Sequence, residues 1–209
     1  MIWLAGRYPK PEGATDYMDS AHLIGMLVFL GHKIDNEILN SYVTSDGFIM
    51  RCPLNDGCSL EPSNYKNFTR DQFIPFISAL AINKQYKTMH KVLKNVTWRM
   101  WNTEKDRSGG DKTFFPDILD PSHHGFLRIL TFKKPTLFQK LWMIAKINFY
   151  AWFTPCEEPN NLIIMSYHYG MLEYLKKKNP QLYISIYKYW AGWRGEENLA
   201  AELCKTIGV

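Results

Sequence analysis

The sequence predicts an all-α fold, a bundle or partial helical toroid of seven to eight helices. Three observations carry that expectation. Segment after segment repeats its apolar residues at helical spacing. Most of these segments open on a capping residue, and several close on glycine. No alternation of strands with helices runs along the chain, which argues against a parallel sheet. The 209 residues suit one domain spanning 1–209. Hydrophobic residues make up 46% and charged residues 22%, the balance of a globular chain rather than a disordered one.

The elements follow in order. Tyr8-Pro-Lys-Pro-Glu-Gly13 reads as a loop from its proline and glycine content. Thr15 or Asp16 caps a helix that runs to about Leu30 and stops at Gly31. This helix is apolar nearly all round and so belongs in the interior. Asp35 caps a short helix from Asn36 to about Val43. The Ser45-Asp46-Gly47 turn leaves room for one small β-hairpin near residues 42–50. Residues 52–67 form a long irregular loop, a common place for function. Thr69 and Gln72 make a capping box, and Phe68 and Phe73 a hydrophobic staple. They open a helix to about Ile82, with a kink expected at Pro75.

The next helix, Lys84 to Trp101, is amphipathic. Tyr86, Met89, Leu93, Val96 and Met100 lie on one face and Lys84, Lys87, Lys91 and Lys94 on the other. A polar loop covers 102–115. Asp120-Pro121 begins a helix to about Leu130. Thr136 and Gln139 cap one that ends near Phe153. A further helix runs from Asn160 or Asn161 to Lys176-Lys177-Lys178, and another follows Asn179-Pro180. The last lies between Gly195-Glu196-Glu197 and Gly208.

Several function classes are excluded or disfavoured. No run of about 20 apolar residues is present, so a membrane span is not expected. The opening residues lack the basic start and length of a signal peptide. Net charge is +5, which permits contact with a polyanion without requiring it. The lysine stripe reads as a solvated face, because no nucleic-acid motif accompanies it. There is no P-loop, GxGxxG, GxSxG or kinase motif set, and no cofactor is expected. Cys52, Cys58, Cys156 and Cys204 form no CxxC pair and are read as reduced. The Cys52–Cys58 loop is the one place for a bridge or half a metal site.

Candidate chemistry gathers at a few points. Asp19 and His22 share a stripe of the first helix, where a carboxylate can fix the tautomer of an imidazole acting as a base. The competing reading is a satisfied buried pair that orients neighbouring loops. Asp71 suits the first turn of its helix. Arg70 has no local explanation and can clamp a carboxylate, a phosphate or a loop carbonyl. Asp117, His123 and Arg128 cluster around the helix that follows Asp120, with His124 beside them. Asp117 and His123 would need a distant third ligand to hold a metal, and no HExxH, HxH or paired cysteines support one, so no metal is expected. The aromatic set from Tyr167 to Trp193 can stack on sugars, but rings of this kind more often fill helix interfaces.

Asp19-Ser-Ala-His22, Arg51-Cys-Pro53, Asn67-Phe-Thr-Arg-Asp-Gln72 with Pro75, and Asn161-Leu-Ile together resemble uncharacterised helical proteins of phages and prophages. The mark of those proteins is a Thr/Ser-Arg-Asp-Gln segment opening a helix. The resemblance implies a phage origin, in the host cytoplasm or the virion, and no established activity. The same helix start is similar to that of helical toroid enzymes acting on polysaccharides. The expectation is therefore a helical protein with a polar cleft that binds or cleaves a glycan by hydrolysis or elimination. Asp19, His22, Arg70 and Asp71 would be catalytic, with His22 as base, Asp19 as its orienter and Arg70 as clamp. Arg51, Asp117, His123 and Arg128 would bind substrate. Two alternatives stand beside it: a virion or tail-associated assembly protein without catalysis, and a host-directed inhibitor.

Overall fold

The computed structural model of the protein describes residues 1–4, 8–10, 12, 19–53, 68, 70–98, 121–132, 136–151, 159–193 and 195–209. The side chains of residues 2–4, 70, 98, 121, 122, 151 and 193 lie outside that description. The described regular structure is helical apart from one pair of three-residue strands. The chain forms two compact units, residues 1–10 with 14–133 and residues 11–13 with 134–209.

The first unit holds β1 (Ile2–Leu4), β2 (Tyr8–Lys10), α1 (Ser20–Phe29), α2 (Asn36–Ser41), α3 (Arg70–Ile82), α4 (Tyr86–Trp98) and α5 (Pro121–Phe132). The first strands correct the expected loop at Tyr8–Gly13. β1 and β2 pair antiparallel, with Trp3 opposite Pro9. In a two-stranded ladder every other N–H faces outward, so a proline can join it. The hairpin expected near 42–50 is reduced to a single antiparallel bridge, Val43 to Ile49. Gly47, with φ +88°, turns that segment where a Cβ would lie 2.3 Å from the Lys91 carbonyl oxygen. Only glycine fits both the angle and the space.

All ten residues of α1 are buried. The element against which it packs most extensively is α3. Gly25 explains the closeness of the pair: a Cβ there would sit 2.4 Å from the Pro75 carbonyl carbon and 2.7 Å from the Phe76 nitrogen. The two backbones therefore touch at the Gly25–Pro75 crossing. Glycine inside a helix costs about 1 kcal/mol relative to alanine, offset here by that approach. α3 runs through Pro75 without ending. Pro75 removes the N–H that would close onto the Asp71 carbonyl in a regular helix.

Tyr42 braces the start of α1. Its hydroxyl shares a 2.6 Å hydrogen bond with the Ser20 hydroxyl, and its ring packs against Tyr8 and Phe76. The Phe68–Phe73 staple forms, with edge-on rings 6.5 Å apart. α4 buries Met89, Val92 and Val96 and exposes Lys87, Lys91 and Lys94, while Lys84, expected to open the helix, lies exposed just before it at φ +56°, so the lysine residues are solvated.

The second unit holds α6 (Leu137–Ala151), α7 (Pro159–His168), α8 (Leu172–Lys178), α9 (Leu182–Tyr187), a π-helical turn (Lys188–Trp193) and α10 (Glu197–Ile207). The Thr136–Gln139 capping box opens α6, with both reciprocal hydrogen bonds made. The single helix expected from Asn160 to Lys178 is two helices. Gly170, at φ +67°, separates them. Asn160 accepts a buried 2.7 Å hydrogen bond from the Trp190 indole, tying α7 to the π-helical turn. Gly208 closes α10 in the left-handed conformation, as its position suggests.

Candidate functional site

The site lies at the start of α1, where it meets the start of α3. His22 is one turn before Gly25 on α1, and Asp71 is one turn before Pro75 on α3. The close Gly25–Pro75 crossing therefore sets the His22 and Asp71 side chains against each other. His22 Nδ1 lies 3.8 Å from Asp71 Oδ2, longer than a charge-assisted hydrogen bond of about 2.7–2.9 Å.

Asp19 completes the group, and its placement corrects one expectation. It does not ride on the helix with His22 but occupies the position just before Ser20. Its side chain makes no capping hydrogen bond. An aspartate at this position ordinarily accepts from the first amides of the helix, which stabilises by about 1 kcal/mol. Here Asp19 Oδ1 instead accepts a long hydrogen bond, 3.5 Å, from Gln72 Nε2. One donor atom from each of Asp19, His22 and Asp71 lies within 4.8 Å of the others.

The burial gradient is steep. The His22 side chain is 0% exposed and that of Asp71 27%. Asp19 is half-buried and Gln72 buried. An imidazole at this depth cannot touch a substrate directly. The two carboxylates form the accessible edge, and the imidazole stands behind them. His22, expected as the base, is thus the buried member of the group, and Asp19, expected as its orienter, lies at the part-exposed edge.

The other expected site residues are placed as follows. Arg51 lends its backbone, its carbonyl accepting a 3.0 Å hydrogen bond from Ala21 N–H at the start of α1. Next to it, Cys52 is buried and disulfide-bonded, which corrects the reading of all four cysteines as reduced. Its partner lies outside the described residues, while Cys204 is free and buried. Arg70 is the first residue of α3, its side chain undescribed. Asp117 lies outside the described residues, as do Thr69 and Asp120.

His123 is not at a cleft. It is buried in the core, with its ring edge-on to Phe73 at 6.3 Å. The apolar surroundings provided by α3 and α5 account for this. Arg128 is exposed on α5. Burial lowers the pKa of the neighbouring His124, and the Arg128 charge lowers it further. His124 Nε2 hydrogen-bonds the Thr97 hydroxyl at 3.1 Å.

Two contributors escape a reading of the sequence. Gln72 looks fully used by its capping box, yet its amide reaches Asp19. Gly25 carries a signal, since a glycine inside an apolar helix marks close approach of another backbone. No protein-family model matches the chain, and no curated protein or solved structure matches it significantly.

Proposed function

We propose that this chain is a phage-type helical protein that cleaves a glycan, with Asp19, His22 and Asp71 as its reaction centre. The observation supporting this is the meeting of two part-exposed carboxylates with a fully buried imidazole at the α1–α3 crossing. Carboxylates at an open edge accept hydrogen bonds from sugar hydroxyls. Hydrolysis and elimination both require proton transfer at the reacting carbon or oxygen. That transfer takes place at the carboxylate edge, with the buried His22 imidazole standing 3.8 Å behind Asp71. Among the described residues no helix is long and apolar enough to cross a membrane.

The test is an assay of the purified protein against bacterial cell-wall, capsular and plant polysaccharides. New reducing ends report hydrolysis, and ultraviolet absorbance of unsaturated products reports elimination. Asp71→Asn should lower the rate at least about 100-fold, the usual weight of an acid–base group, with an unchanged melting temperature. A wild type inert on every glycan, or an Asp71→Asn protein of wild-type rate, overturns the reading.

A second reading has one observation in its favour. α6 leaves Leu137, Phe138, Leu141, Trp142 and Phe149 exposed. Phe138, Leu141, Trp142 and Phe149 fall at helical spacing along one face. Exposed apolar stripes of this kind mark association surfaces, which suits an assembly protein of the virion. Phe138→Ser with Trp142→Ser should then abolish co-sedimentation with particles. Full co-sedimentation of the double variant removes this reading.

A further inference from the structure

The Asp19–His22–Asp71 cluster has the composition and spacing of a cation site. We infer that it binds one borderline divalent ion, of the Zn²⁺ or Mn²⁺ class, through an Asp19 carboxylate oxygen, His22 Nδ1 and an Asp71 carboxylate oxygen. This deepens the reading above by supplying a cofactor for the same reaction centre, and it rests on that choice of centre.

The distances favour an ion over a direct hydrogen bond. Two ligands on one ion, each about 2.1 Å from it, lie no more than about 4.2 Å apart. His22 Nδ1 and Asp71 Oδ2, at 3.8 Å, already satisfy this while being too far apart to share a proton. The largest separation in the cluster is at most 4.8 Å, close to that limit. Both aspartates are part-exposed.

The ligand set selects the ion class. One imidazole with two carboxylates suits zinc or manganese, whereas calcium and magnesium prefer oxygen alone. Three protein ligands leave at least one coordination position open, the hallmark of catalytic rather than structural metal sites. That position faces solvent, because the imidazole is fully buried and the carboxylates form the outer edge. Gln72 Nε2 donates to Asp19 Oδ1 at 3.5 Å, an outer contact of the kind that orients a ligating carboxylate.

The test is calorimetric titration of chelator-treated wild-type protein with ZnCl₂ and with MnCl₂. We expect one equivalent of at least one of these ions to bind. Asp71→Asn and Asp19→Asn should each weaken it at least about tenfold. His22→Gln can fail to fold because the side chain is buried. Nitrogen coupling from an imidazole in the electron spin-echo spectrum of the Mn²⁺-loaded wild type therefore checks that ligand without a substitution. Absence of binding by both ions, or affinity unchanged in both aspartate variants, overturns the site. A protein that cleaves glycan equally well after chelation overturns the cation and leaves the glycan reading intact. Stoichiometric binding without glycan cleavage does the reverse.

Discussion

Asp19 stands where a helix cap is wanted and does not cap. Its Oδ1 faces Gln72 Nε2 at 3.5 Å, beside His22 and Asp71. The neighbouring Ser20 is held by Tyr42, whose hydroxyl is 2.6 Å away in a buried setting. Tyr42→Phe leaves the serine hydroxyl buried without that partner and should destabilise by about 1–2 kcal/mol, read from denaturant midpoints. His168 supplies a pH dependence. Burial lowers its pKa to about 4 from the ordinary 6.5. Below pH 6.5 the unfolded chain takes up a proton that the folded chain refuses until about pH 4. Stability from this group is therefore complete above pH 6.5 and is lost as pH falls from 6.5 towards 4. The melting temperature should decline over that window, and His168→Gln should flatten the decline. An equal slope in both proteins removes His168 from the account.

At the scale of elements, the α1–α3 crossing decides the site. Gly25→Ala places a methyl carbon 2.4 Å from backbone that cannot rotate away. The helices must separate, at a cost of about 1–3 kcal/mol or more. Because Gly25 and Pro75 sit one turn beyond His22 and Asp71, the separation also opens the cluster. Gly25→Ala should thus lower activity more than its loss of stability explains, measured at a temperature where the variant remains fully folded. Activity in step with the folded fraction alone would detach the crossing from the site. Local chemistry made several elements legible in the sequence: the Asp35 cap, the Thr136–Gln139 box, the Phe68–Phe73 staple and the Gly208 stop each act within a few residues. The β1–β2 pair was not, because Pro9 argues against a strand until its ladder partner is known. The break between α7 and α8 was signalled by Gly170, but the apolar periodicity on either side masked it.

At the scale of the molecule, the helical class follows from periodicity and caps, and the structure bears it out. The candidate site was half legible. Asp19 and His22 stand out beside and within an otherwise apolar α1, and Asp71 lies in the polar first turn of α3, yet their joining depends on a crossing between segments about 50 residues apart, which no local pattern encodes. For the same reason His123 looked like a site residue: its burial against Phe73 comes from α3, not from its neighbours in sequence. The Cys52–Cys58 loop stands out in the sequence as the one place for a bridge, but spacing alone cannot say which thiols meet, and the Cys52 disulfide is seen only in the structure. Everything functional rests on both carboxylates and His22 sharing one small volume. The most direct measurement is the ring ¹⁵N chemical shifts of His22 in wild type, Asp19→Asn and Asp71→Asn, with the exposed His32 and His90 as internal references. Both substitutions should move the His22 resonances and leave the references in place. A His22 signal indifferent to either carboxylate would contradict the convergence on which the site is built.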